Sequence, residues 1–209
     1  MSNSPNFLLE NSCGKTRVVG IDEAGCGPWA GPVVAAALMF FDHSNYEKWQ
    51  NLNDSKKLTV SQRQEYFKKI TLASDEIVYG IGIASVDEID SLNISGATLL
   101  AMERAVSALS IQPEIALIDG IRAPKLDMPI QLIKKGDSIS LSIAAASIIA
   151  KVSRDAIMRT LDKAYPQYGW GNNAGYGTAQ HINAIQEHGI TEHHRKSFAP
   201  IKNYIKEAA

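Results

Sequence analysis

The rhythm of apolar and polar positions changes near residue 95. Ahead of it, apolar residues gather in short runs: Arg17–Asp22 (RVVGID), ending in a glycine-rich turn, the nearly continuous Pro32–Phe41, and Glu76–Ala84 (EIVYGIGIA). Runs of this length bounded by turn residues predict strands. A helix is predicted between the last two, after Asn53–Leu58, where Thr59 and Gln62 have capping-box spacing. From Ser95 the spacing becomes three and four, with Leu99, Met102 and Val106 on one helical face. Glu114–Asp119 (EIALID) and Pro129–Lys134 (PIQLIK) read as two further buried strands. Ser138–Leu161 reads as a long helix whose small residues around Ala144–Ser147 allow close packing on a sheet. A glycine-rich loop, Tyr168–Gly177, precedes a short helix, Thr178–Glu187. Three meander-like strands followed by helix, strand, helix, strand and helix predict a mixed α/β sheet with helices on its faces, in one domain.

Composition narrows the class. The 209 residues are 45% hydrophobic and 21% charged, which excludes a mostly disordered chain. A chain this long buries roughly 70% of its unfolded surface, so neither disulfides nor a structural metal is required. The net charge of −1 excludes a bulk polycation, yet it is unevenly spread. Residues 1–120 hold 9 Lys or Arg against 15 Asp or Glu; residues 121–209 hold 12 against 7. A carboxylate cluster facing a basic rim is one source of such a split. Cys13 and Cys26 lack C-x-x-C spacing, which favours a reducing cytosol. The segment MSNSPNFLLENSCGK has no secretory pattern. The longest apolar run, about ten residues, falls short of the ~20 that span a bilayer. The expectation is a cytoplasmic, monomeric protein without membrane attachment.

The acids carry the chemistry. Asp22 and Glu23 are adjacent at the end of an apolar strand. Successive strand side chains point to opposite faces, so the pair converges if the strand ends there, at the turn Ala24–Pro28. Asp119 ends IALID ahead of Gly120, and Asp137 follows Lys134, Lys135 and Gly136 at the start of the long helix. Singly, each has an ordinary place as a turn residue or helix N-cap. Together they set acid at three strand ends, where α/β sheets hold their sites. Converging carboxylates repel one another unless a cation neutralises them, and all-oxygen ligands favour Mg²⁺ or Mn²⁺.

Seven segments then resemble, in order, the motifs of bacterial ribonuclease HII. They are Gly20–Pro32 (GIDEAGCGPWAGP), Asn53–Leu58 (NDSKKL), Leu117–Gly120 (LIDG), Lys135–Ser138 (KGDS), Ala146–Lys151 (ASIIAK), Gly175–Thr178 (GYGT) and Glu192–Phe198 (EHHRKSF). The resemblance implies a ribonuclease H-like mixed five-stranded sheet flanked by helices, with a C-terminal helical and loop extension from about residue 165. It also implies metal-dependent endonucleolysis of the RNA strand in RNA–DNA hybrids and of single ribonucleotides embedded in duplex DNA. Its four acids fall on Asp22, Glu23, Asp119 and Asp137, which would hold a two-metal site of Mg²⁺ or Mn²⁺.

The family's junction-reading loop is Gly-Arg-Gly; this chain has Gly25-Cys26-Gly27. Glycines admit a ribose to the backbone, and the 2′-hydroxyl separates RNA from DNA. Readout by main chain survives the change at Cys26. The resemblance sets the ring of Tyr176 on the sugar beside the junction, although Asn173-Ala174 stands where the family often has His-Lys. Lys56, Lys57, Lys151, Arg154 and Arg195 are the expected phosphate contacts. Asp155 is expected to be solvated or salt-bridged. The spacing of His188, His193 and His194, with no cysteine near, argues against zinc, and Arg195–Phe198 is expected to dock the C-terminal tail. Two rival readings use parts of the same pattern. A small-molecule phosphatase would not need Gly25–Gly27 with Tyr176, and a non-catalytic hybrid-binding module would not need four acids.

Overall fold

Strands β1 (Val18–Ala24), β2 (Val33–Phe40), β3 (Ile77–Ala84), β4 (Ile115–Asp119) and β5 (Ile130–Ile133) form one mixed sheet ordered β3-β2-β1-β4-β5. They are seen in the computed structural model, which describes residues 4–44 and 46–207. The first three strands pair antiparallel as a meander, while β4 runs parallel to β1 and β5 parallel to β4. The helices are α1 (Leu8–Ser12), α2 (Val60–Leu72), α3 (Val86–Ser107), α4 (Leu141–Ala164), α5 (Trp170–Asn173), α6 (Ala179–His188) and α7 (Ala199–Glu207).

Strand β2 is buried along its whole length because both faces are covered. Val19, Ile21, Ala35 and Ala37 face α3, and Ala36, Leu38 and Phe40 face α4 and α2. Two glycines let the helices come close. A Cβ on Gly20 would lie 2.3 Å from the Ile143 amide at the start of α4, and one on Gly82 would lie 2.0 Å from the Ala101 carbonyl of α3. Beyond α4, residues from Tyr168 to α7 build a smaller apolar cluster of Tyr168, Trp170, Ile185 and Ile201, closed by Ala30 and Met158. This is the expected extension from about residue 165; residues 1–3 and 208–209 of the expected domain lie outside the described residues.

The predicted elements are present with corrections. β1 does not stop at Asp22 but continues through Glu23 to Ala24. The capping box at Thr59 and Gln62 forms as expected. α3 begins nine residues ahead of Ser95, on a second capping box between Ser85 and Glu88. It breaks at Asn93 (φ 59°), whose Oδ1 accepts from the Ser95 and Gly96 amides and caps the second half anew. The three-and-four spacing therefore reports that second half. No helix separates β4 from β5 among the described residues, against the expected alternation. Asp137 is not the N-cap of α4: it sits in a short 3₁₀ turn, Gly136–Ser138, and Ser140 accepts from the Ile143 amide as the cap. The loop Tyr168–Gly177 contains α5, and α1 and α7 were not expected.

Candidate active site

Asp22, Asp119 and Asp137 come together at the carboxyl ends of β1 and β4 and in the turn after β5. Each offers a carboxylate oxygen, and these oxygens lie within 4.8 Å of one another. Strand parity explains the choice. Asp22 shares the α4 face of β1 with Val18 and Gly20, and Asp119 shares that face of β4 with Leu117. The Gly136 amide donates to Asp119 Oδ1 at 2.7 Å, which ties the turn bearing Asp137 to the end of β4. Asp22 Oδ1 accepts from the Glu23 amide at 2.7 Å.

Because β1 continues past it, Glu23 points to the α3 face, so the adjacent pair does not converge as expected. The Cys26 thiol donates to Glu23 Oε1 at 3.4 Å, and Glu23 and Asp119 both border a cavity of about 250 Å³ against α3. Glu23 still acts on the cluster through its charge. Burial first, then Glu23 and Asp119, push the Asp22 carboxyl well above the usual carboxylate range. Burial, Asp54 and Asp119 raise Asp137 to about 6. Burial also raises Glu23, against the Cys26 hydrogen bond that favours its ionised form. The cluster holds charge that burial disfavours. A divalent cation fits it: the donors are all hard oxygens, and their mutual repulsion is what such a cation relieves.

A second cleft, of about 290 Å³, opens on the other side of Glu23, lined by Gly25, Cys26, Gly27, Ser55, Lys56, Lys151, Arg154 and Tyr176. Tyr176 is half exposed, and a Cβ on Gly27 would come within 3.3 Å of its ring, so glycine lets the ring sit close to this backbone. The Cys26 side chain turns inward instead. Its thiol lies 3.5 Å from Thr98 Oγ1, and burial, then Glu23, push it up to about 12.

Arg154 and Arg195 are not available to phosphate, contrary to expectation. Both are buried, and their guanidinium groups are committed to backbone carbonyls. Arg195 donates to Gly25 (2.6 Å), Cys26 (3.2 Å), Gly31 (2.9 Å) and Pro32 (3.2 Å). Arg154 donates to Ala30 (3.0 Å), Pro32 (2.9 Å) and Ala174 (2.9 Å). Together they mould the segment Gly25–Pro32 from beneath. Burial, then the neighbouring Arg154, pulls Arg195 down to about 9. Gly25 must be glycine here: its φ is 101°, and a Cβ would lie 2.0 Å from Arg154 Nε. Ala174 holds φ 50° where its carbonyl meets Arg154.

The three lysines border the clefts with side chains that are not buried. Lys56 is exposed beside the acids: burial pulls its ammonium down, but Asp22, Asp54, Asp137 and Asp119 together hold it above its usual range. Lys57 donates to Ser138 Oγ at 2.9 Å, and Lys151 pairs with Asp155 at 2.8 Å, the salt bridge expected of Asp155. Sequence reasoning passed over Asp54, Lys134 and Lys135. They join Lys56, Lys57, Asp119 and Asp137 around a cleft of about 500 Å³. Asp54 and Lys135 lay inside quoted motifs, and Lys134 adjoined one.

Two of the histidines pair with each other. His194 is buried and meets His181 Nε2 through its own Nε2 at 3.1 Å. The Thr191 amide donates to His194 Nδ1 (2.9 Å), so its Nε2–H donates to His181, whose Nδ1–H in turn donates to the Tyr176 carbonyl (3.0 Å). The Trp170 indole also donates to His181 Nε2 at 3.1 Å. This chain of neutral imidazoles anchors the backbone of Tyr176. As expected, Arg195–Phe198 docks the tail: the Lys196 and Ser197 amides donate to Asp90 on α3.

A family model described as Ribonuclease HII matches residues 19–201. A protein named ribonuclease HII from Wolbachia sp. subsp. Brugia malayi (strain TRS) is 50% identical over 204 residues, covering 98% of each chain. Among solved structures, the ribonuclease H2 from Pyrococcus horikoshii OT3 has a TM-score of 0.74 at 25% identity, covering 91% of this chain and 98% of that one. Bst-RNase HIII in complex with Mn²⁺ has the same fold, with a TM-score of 0.67 at 22% identity, covering 98% of this chain and 74% of that one. Five strands in this order, acids at their ends and matches along nearly the whole length lead to one assignment: the chain belongs to the ribonuclease HII family, hydrolases of the ribonuclease H type.

Proposed function

We propose that this chain is a divalent-metal-dependent endonuclease that hydrolyses the RNA strand of RNA–DNA hybrids and cuts on the 5′ side of ribonucleotides embedded in duplex DNA. The observation that carries the reading is the contiguity of two features across Glu23: the aspartate cluster on one side, and the cleft of Gly25–Gly27 and Tyr176 on the other. A small-molecule phosphatase has no use for the second, and a passive binding module has none for the first.

Asp22, Asp119 and Asp137 would hold Mg²⁺ or Mn²⁺, with Glu23 completing the set, and the Mn²⁺ complex of the Bst-RNase HIII neighbour supports this choice. A cation bound there neutralises charge at the scissile phosphate and acidifies an attacking water. The remaining work falls to the protein's own groups. The Gly25–Gly27 backbone approaches the ribose and reads its 2′-hydroxyl. Tyr176 offers a stacking face for the adjoining sugar, held by the His181 and His194 relay. Lys56, Lys57 and Lys151 line the clefts as phosphate contacts. The reading takes residues 1–209 as one catalytic domain acting as a cytoplasmic monomer.

A cut on the 5′ side falls at a phosphate whose upstream sugar is deoxyribose. That sugar has no 2′-hydroxyl, so water is the nucleophile. The expected products are a DNA fragment ending in a 3′-hydroxyl and a fragment beginning with a 5′-phosphorylated ribonucleotide. Mass spectrometry after incubating a duplex with one central ribonucleotide and Mg²⁺ tests this. A 2′,3′-cyclic phosphate, or cleavage undiminished by chelator, refutes the reading.

A further inference from the structure

Glu10, on the short helix α1, is a fully buried acid distant in sequence from the aspartates. Its Oε1 accepts from Ser140 Oγ (2.7 Å) and from the Ser142 amide (2.9 Å). Both donors stand at the start of α4, where first-turn amides have no helical partner. The same Ser140 hydroxyl accepts from the Ile143 amide at 3.2 Å, so Glu10 orients the cap. The flanking backbone is tied as well. The Asn6 amide donates to the Ile139 carbonyl, and the Leu141 amide donates to the Asn6 carbonyl, each at 3.1 Å. Phe7 anchors this segment in the core, edge-on to Phe40 and stacked on His43.

The turn bearing Asp137 is hydrogen-bonded between this strap and Asp119. The Ile139 and Ser140 amides both donate to the Gly136 carbonyl (2.9 and 2.8 Å), and the Gly136 amide donates to Asp119. Asp137 is thus suspended between two anchors, Asp119 on one side and Glu10 on the other.

We infer that Glu10 is a positioning residue for Asp137, and that the strap Asn6–Glu10 sets the affinity of the aspartate cluster for a divalent cation. This rests on the proposed reading of the cluster as a cation site. What the position requires is an acceptor at Oε1 that reaches both Ser140 and Ser142. Glutamine supplies one; aspartate, one methylene shorter, cannot span both donors; alanine supplies none.

The test compares Glu10→Ala, Glu10→Gln and Glu10→Asp in the full chain, with Ile70→Val in α2 as a mildly destabilised control away from the turn. Calorimetric titration with Mn²⁺ and hydrogen exchange of the Ser138–Ile143 amides in metal-free protein are the readouts. Glu10→Ala should bind Mn²⁺ about tenfold more weakly or worse, as loss of a group supporting a metal ligand usually does, and its turn amides should exchange faster. Glu10→Gln should stay close to wild type, Glu10→Asp should fall between, and Ile70→Val should leave Mn²⁺ affinity unchanged. Unchanged Mn²⁺ affinity in Glu10→Ala, or in Glu10→Asp if the alanine variant does not fold, overturns the inference. Wild-type protein that neither binds Mn²⁺ nor cuts a hybrid overturns the functional reading instead, and exchange at Ser138–Ile143 still decides whether Glu10 holds the turn.

Discussion

Arg195 donates a 2.6 Å hydrogen bond to the carbonyl of Gly25, 170 residues earlier in the chain. That bond is one of seven by which two buried arginines hold the segment Gly25–Pro32 and Ala174. The segment Gly25–Pro32 is therefore shaped by two cations that are almost wholly buried.

Arg195→Lys should remove this support, because an ammonium cannot serve four carbonyls with fork geometry. Each buried carbonyl left without a donor costs about 1–3 kcal/mol, so a loss of about 3 kcal/mol is expected in urea unfolding. Selectivity for ribonucleotide-containing duplex should fall with it. The salt dependence of hybrid binding should not change, whereas Lys56→Ala should make the slope shallower by about one. A shallower slope for Arg195→Lys would restore it as a phosphate contact.

Asp22→Asn should abolish hydrolysis while hybrid binding, followed by fluorescence anisotropy, persists or improves. The substitution removes a carboxylate that burial, Glu23 and Asp119 already push toward protonation, so the metal-free variant should melt higher than wild type. Near-normal rates at saturating Mg²⁺ in both Asp22→Asn and Asp119→Asn would show that the cluster is not the catalytic centre.

Cys26 should be a poor nucleophile. With its thiol raised from 9.0 to about 12, its thiolate fraction at pH 8 is about 10³-fold below that of an unperturbed cysteine. Iodoacetamide labelling followed by peptide mass spectrometry should find it protected until the protein is denatured. Since the side chain faces Glu23 and Thr98, Cys26→Ala should keep ribonucleotide selectivity. Its loss would count against readout by the main chain.

His194 should make the fold acid-sensitive between pH 6.5 and 4. Burial, then His181, lowers its pKa from 6.5 to about 4, so across that window the unfolded chain binds the proton and the folded one does not. Stability contributed by the neutral imidazole is complete above pH 6.5 and falls by roughly 2 kcal/mol at pH 5. The raised Asp22 and Asp137 act in the opposite sense, since the folded state binds their protons first. Comparing urea midpoints of wild type and His194→Gln at pH 7 and pH 5 isolates the histidine; parallel pH dependences would remove it as the cause.

Much of this architecture was legible in the chain. Pro32–Phe41 reads as a strand, its continuous apolar run reflecting burial of both faces, and acids at strand ends picked out Asp22, Asp119 and Asp137 without coordinates. The end of β1 was misplaced by two residues, and those two residues decide which face Glu23 takes. The buried arginines were misread because a sequence displays charge but not depth. A signal was present for one of them: Arg154 stands four residues from Ala150 and from Met158, in the buried stripe of α4. Glu10 carried none, since its partner Ser140 lies 130 residues away.

The parallel pairing of Val18 with Ile115 also sets a timetable. The hairpin β1–β2 and the packing of α3 on β3 join near neighbours in the chain and form readily, whereas β1 meets β4 across a long loop whose closure is slow. Neither early piece contains two of the three aspartates. A chain cut short before Gly136 lacks Asp137 and so has no complete acid cluster. Competence to cut RNA is therefore among the last properties this molecule acquires as it folds.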